Sequence, residues 1–102
     1  MIESEFLQKS EEILINLADL IEDNDLNSIF DVEYLDGILK ITAAKGQYVI
    51  NKHLASRKIW FSSPITGANY FAFNENKWLD GKNNELGDFL INELNNNFNI
   101  KL

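Results

Sequence analysis

Residues 30–42 read FDVEYLDGILKIT, and the way this stretch must turn back on itself decides the fold. Phe30, Val32 and Tyr34 alternate with Asp31 and Glu33, the period-two pattern of a strand with one buried and one wet face. Asp36-Gly37 then separates two apolar runs, and such a pair favours a two-residue hairpin because both of its positions must accept positive φ. Two antiparallel strands are predicted, with Asp31 and Glu33 on the outer face of the first.

Upstream, Phe6, Ile13, Leu14, Leu17, Leu20 and Ile21 recur at helical spacing and predict an amphipathic helix from Glu3 to Asp23. At about 100° per residue, Glu5, Glu12, Asp19 and Asp23 fall within roughly 40° of one another on its far side. The short link 24–29 keeps the end of this helix close to the first strand. Downstream, strands are predicted at 47–51, 58–62, 70–73 and 78–79, punctuated by Gly46, Pro64, Gly67, Gly81 and the polar runs at 74–76 and 82–84. Leu86, Phe89, Leu90, Leu94 and Phe98 return to helical spacing, and Asn95-Asn96-Asn97 read as a fraying helix end. The expected architecture is α+β over a single domain, residues 1–102. The N- and C-terminal helices should pack on one face of an antiparallel sheet of about six strands, α-β-meander-α, a two-layer sandwich whose other face is open.

Composition narrows the chemistry. The chain has no cysteine and a single histidine, His53, which excludes disulfides, thiolate nucleophiles, Cys-ligated metal sites and imidazole-rich ones. A metal held by this chain must be held mainly by oxygen, the preference of hard cations. Residues 1–36 carry eleven acids against one base, Lys9, a net charge of −10, whereas the remaining 66 residues carry +3. Such a dipole repels nucleic acid and anionic membrane and attracts cations or a basic protein surface. The sequence has no apolar run long enough for a transmembrane helix, and its acidic N-terminus is unlike the basic targeting peptides. A monomer without nucleic-acid or membrane partners is the expectation.

Charge concentrates further between Asp19 and Gly37, where seven carboxylates occur with no Lys, Arg or His. Acids in the first turns of a helix favour its dipole, but Glu22, Asp23 and Asp25 lie at the C-terminal end, where each costs a few tenths up to about 1 kcal/mol. Stability alone does not account for them. In KIWFSSP, residues 58–64, Trp60 and Phe61 are consecutive, so one must face away from the helices; alternation turns Ile59 and Phe61 inward and Trp60 outward. Trp60 is then either an exposed interaction anchor or a ring covered by a neighbour, among Asn51, His53, Ser62 and Lys58. No nucleophile–base set or phosphate loop is present, so an enzyme has no support.

The segment GQYVINKHLASRKIWFSSPITG, residues 46–67, resembles the signature of the frataxin family, and Ser4-Glu5-Phe6, Asp31-Val32-Glu33 and Asp36-Gly37-Ile38-Leu39 match in order. The likeness runs end to end and is similar to the bacterial CyaY type, which implies a cytoplasmic protein rather than a processed mitochondrial one. The resemblance implies weak iron binding by carboxylates and a role as adaptor or regulator of iron–sulfur cluster assembly. It implies docking on the cysteine desulfurase and scaffold protein, with iron-dependent oligomers conceivable for the family. It also implies a metal-binding ridge at Asp19, Glu22, Asp23, Asp25, Asp31 and Glu33, and partner contacts at Asn51, Trp60 and Ser62. Ala18 and Ile29 stand where bacterial relatives often carry acids, His53 replaces a usual Gln, and Asn69-Tyr70 replaces a basic pair. An acidic electrostatic binder that covers a basic protein surface without metal-dependent function is the alternative.

Overall fold

The structure, a computed structural model, describes residues 1–102. Helix α1 (Glu3–Asn24) is followed by strands β1 (Asp31–Leu35), β2 (Ile38–Ala43), β3 (Gly46–His53), β4 (Lys58–Ser63), β5 (Gly67–Asn74) and β6 (Lys77–Leu79), then by helix α2 (Leu86–Phe98). Each strand pairs antiparallel with the next, in the order β1-β2-β3-β4-β5-β6. Both helices bury their apolar stripes against the same sheet face, the two-layer α+β sandwich expected from the pattern.

The turns set the register. Asp36 (φ 53°) and Gly37 (φ 76°) both adopt the positive φ that a tight hairpin demands. Glu75 (φ 51°) and Asn76 (φ 66°) do the same between β5 and β6, where no glycine eases the strain. Gly46 is required for another reason: a Cβ there would lie 2.6 Å from the Pro64 ring, so the β2–β3 and β4–β5 turns pack against each other through the missing side chain.

With the register fixed, alternation sorts the side chains. Tyr34, Leu39, Ile50 and Phe61 cross the sheet on the inner face; Leu35, Ile38, Asn51, Trp60 and Tyr70 cross it on the outer. The inner rows meet Phe6, Leu14, Leu17 and Ile21 of α1 and Leu86, Leu90 and Leu94 of α2 in one cluster of 17 buried apolar residues. Each large side chain fully buried there stabilises the fold by about 1.5–3 kcal/mol. Phe89 of α2 sets its edge against Phe61 and Phe71, at 5.3 and 5.8 Å between centroids.

Two local readings of the sequence need correction. Leu20 is 39% exposed, while Ser10 and Ala18 are buried; the stripe is centred on Ser10, Leu14, Leu17 and Ile21, which leaves Leu20 about 90° off axis. The Ser10 hydroxyl is accommodated by donating to the Phe6 carbonyl at 2.7 Å. The asparagine run does not fray. Asn97 Nδ2 donates to the Glu93 carbonyl, Asn95 Oδ1 accepts from Leu102 N–H, and Asn99 closes the helix in the left-handed region, so the tail folds back onto the core.

Two polar knots tie the layers together, and a third ties the loop after β6 to β5. Glu11 of α1 accepts from the Tyr34 hydroxyl and from Lys52 Nζ at 3.2 Å, and the Tyr34 hydrogen bond is the main reason that its pKa lies below the usual carboxylate value. Buried Glu93 of α2 accepts from Ser63 Oγ at 2.5 Å and Thr66 Oγ1 at 2.7 Å. Asp80 accepts from Asn69, Asn84 and the Lys82 and Asn84 amides; partial burial alone would raise its pKa, but these donors outweigh it and hold it at about 2.

Because the folded Asp80 pKa lies below its ordinary 3.8, its contribution is complete above that value and is lost as pH falls through about 2. An acid titration of stability should therefore be shallower in Asp80→Ala than in wild type over this window. At pH 7 the variant should lose about 1–2 kcal/mol in denaturant unfolding; an unchanged acid limb would show that the Asp80 knot contributes nothing.

Candidate functional site

Six of the seven carboxylates, all but Asp36 in the β1–β2 turn at the far end of β1, are brought to one side of the molecule by two features of the chain. Helix α1 ends beside the sheet edge formed by β1, and Asp25 bridges them: its carboxylate accepts from Ile29 N–H at 2.9 Å and Phe30 N–H at 2.8 Å. Phe30 then packs edge-on against Phe98 of α2, centroids 5.2 Å apart, so the C-terminal ends of both helices meet here. Asp19, Glu22, Asp23, Asp31, Glu33 and Asp36 are exposed. None has an ion-pair partner, since the molecule's two ion pairs are Lys9–Glu12 at 3.7 Å and Lys52–Glu11 at 3.2 Å. Neither helix carries a base in its last turn.

Charge is shared here more than ligand geometry is. No three His, Asp or Glu side chains converge closely enough to hold a metal ion. Asp25, read from the sequence as part of the ridge, already spends both oxygens on backbone amides. Glu33 lies opposite Lys40 in the β1–β2 register, a cross-strand neighbour that the charge count of 19–37 could not reveal. Ala18 is buried, so an acid at that position would face the core.

The outer sheet face lies next to this corner. Trp60 stands at its centre and is 38% exposed. Asn51 is its direct partner on β3, and Ser62 lies two residues along β4, exposed, opposite Val49 and Ala68. The two sequence readings of Trp60 both hold in part: the ring is exposed, yet His53 stacks on it with centroids 3.7 Å apart and planes 16° from parallel. Tyr70 meets it edge-on at 5.6 Å. Sequence reasoning missed that Leu35, Ile38 and Tyr70 fall in the same transverse row. Counting residues outward from the Asp36-Gly37 turn would have found the first two.

The corner separates acids with a structural task from acids without one. Asp23→Lys should raise the melting temperature, by relieving repulsion at the helix C-terminus worth up to about 1 kcal/mol. Asp25→Ala should lower it, costing about 1–2 kcal/mol, because two amides lose their acceptor. Equal effects of the two substitutions in thermal unfolding would contradict this division.

The sequence model of the frataxin-like domain family matches residues 1–100. The chain is 34% identical over 88 residues to mitochondrial frataxin of Dictyostelium discoideum, an alignment covering 82% of this chain and 46% of that protein; it spans about half the length of that relative. It is 32% identical over 80 residues to the iron–sulfur cluster assembly protein CyaY of Neisseria meningitidis serogroup C, covering 78% of this chain and 72% of that one. A crystal structure of trimeric frataxin from Saccharomyces cerevisiae, complexed with ferrous iron, matches with a TM-score of 0.71 at 31% identity, over 94% of this chain and 87% of that one. The helix–meander–helix order, the edge-strand acids and the sheet-face tryptophan thus occur in a chain whose likeness extends over nearly its whole length, and it belongs to the frataxin family.

Proposed function

We propose that this chain is an iron-binding adaptor that regulates iron–sulfur cluster assembly in the bacterial cytoplasm, docking on the cysteine desulfurase and scaffold protein. The observation that carries this reading is the juxtaposition of five exposed, unpaired carboxylates, Asp19, Glu22, Asp23, Asp31 and Glu33, along the α1–β1 edge with an exposed aromatic row on the adjoining sheet face. The name of the Neisseria relative and the ferrous complex of the yeast protein support it.

Iron is cargo in this reading. Asp19, Glu22, Asp23, Asp31 and Glu33 supply hard, anionic oxygen donors, with Asp25 adding charge while its oxygens serve the backbone. Exposed donors that do not converge bind a cation weakly, at several overlapping places, and exchange it readily. That suits delivery better than storage. The protein works as a monomer, and iron shared between corners of two copies supplies a route to larger assemblies. Docking divides between the surfaces: the corner attracts a basic partner from a distance, and Asn51, Trp60 and Ser62 make contact after encounter.

A second reading is favoured by the absence of a three-carboxylate cluster: the corner covers a basic protein surface by charge alone. Iron then has no part in binding.

Titration with ferrous iron should perturb the amide resonances of residues 19–33; perturbation centred on His53 would overturn the assignment of iron to the ridge, and no perturbation would favour the second reading. Neutralising Glu22 and Asp23 together should slow association with a purified bacterial desulfurase–scaffold complex and flatten its salt dependence. Trp60→Ala should instead speed dissociation, costing about 2 kcal/mol with the salt slope little changed. Wild-type binding by a folded Trp60→Ala protein would remove the sheet face from the docking surface.

A further inference from the structure

We propose that His53 is a positioning residue that holds the Trp60 indole in one orientation before any partner arrives. The inference rests on the docking role given to Trp60 above and adds what fixes that ring in the free protein.

A tryptophan on the open face of a sheet has two side-chain torsions to lose when it enters a partner's pocket. Immobilising such a side chain costs about 0.5–1.5 kcal/mol, a cost avoided where the ring is already held. Here it is held from two sides. His53 lies diagonally across the β3–β4 pair, two residues beyond the Asn51–Trp60 partners, and its ring is nearly parallel to the indole at 3.7 Å. Tyr70, directly opposite Trp60 on β5, closes the other side edge-on at 85°.

The imidazole is itself fixed. Its Nδ1 lies 2.8 Å from Ser56 Oγ, and that hydroxyl donates in turn to the His53 carbonyl at 3.4 Å. Ser56 is held by the turn between β3 and β4, which closes through Arg57 N–H to the Leu54 carbonyl at 3.1 Å with Arg57 at φ 55°. A chain of contacts thus runs from the turn through Ser56 and His53 to the indole. An aliphatic or amide side chain at position 53 would offer no flat ring for the stack. Despite these contacts Trp60 remains 38% exposed, so His53 orients the anchor without hiding it, and a partner must take the ring by its remaining surface.

Protein labelled with 5-fluorotryptophan gives separate 19F signals for exposed Trp60 and buried Trp78, assigned with Trp60→Phe. In His53→Ala the Trp60 signal should move and broaden as the stacked ring is lost, while the Trp78 signal and the melting temperature stay put. His53→Phe should restore the shift and the narrow line. Affinity for the purified desulfurase–scaffold complex should fall about two- to tenfold in His53→Ala and return in His53→Phe. An unmoved Trp60 signal in His53→Ala overturns the inference, as does a moved signal with wild-type affinity when Trp60→Ala binds poorly. If Trp60→Ala itself binds like wild type, the docking role fails and the positioning role falls with it.

Discussion

The two helices cover one face of a six-stranded sheet, and that one-sidedness governs the rest of the molecule. Every strand must send alternate side chains to opposite environments, so a register slip of a single residue would expose Leu39, Ile41, Ile50 and Phe61 and bury Lys40 and Asn51. The tight turns at Asp36-Gly37 and Glu75-Asn76 oppose such slips at both edges of the sheet. Glu75 adopts positive φ without being glycine, a local strain tolerated because the register it protects commits so much apolar surface. The consequence for function is indirect. Since the inner face carries the stability, the outer face is free to hold residues that folding does not require.

The acidic corner is where that freedom costs most. Two helix C-termini, each the negative end of a macrodipole, meet beside Glu22, Asp23 and Asp25 with no base in either last turn. Compensation comes from elsewhere in the chain. Asp25 turns its charge inward onto the Ile29 and Phe30 amides, and Lys45, from the β2–β3 turn, donates to the Asn97 carbonyl while its ammonium lies 5.3 Å from the centre of the Phe98 ring. These contacts offset part of the repulsion near the core and leave the outer carboxylates uncompensated.

What was legible in the sequence follows from range. The Asp36-Gly37 hairpin, the Glu3 helix start, the six strands and the outward turn of Trp60 depend on neighbours a few residues away, and pattern alone places them. The acids of the ridge were legible as a charge run, but the task of Asp25 was not, because accepting two amides in the α1–β1 link depends on a loop conformation that composition does not specify. Glu93 was invisible for the opposite reason. Its partners, Ser63 and Thr66, are about 30 residues away, and a carboxylate in a helix of otherwise ordinary amphipathicity gives no sign that it will be buried. His53 was legible as a neighbour of Trp60 but not as its stacking partner, since the β3–β4 pairing gives proximity and not ring orientation.

Edge strand β1 joins the two surfaces. Its outward residues are Asp31, Glu33 and Leu35: the first two belong to the acidic corner, and the third begins the row that continues through Ile38 and Asn51 to Trp60 and Tyr70. A partner seated on the Leu35 end of that row lies about 7 Å along the strand from Glu33, inside the Debye length of about 8 Å at physiological salt, whereas Trp60, three strands and about 14 Å across the sheet from β1, lies outside it. Within that range the repulsion that destabilises the free corner becomes attraction toward any basic group the partner brings, or toward a cation held between them. The same strand pairing that exposes the acids thus places them beside an apolar contact, where a partner's approach both strengthens their field and gives it something to act on.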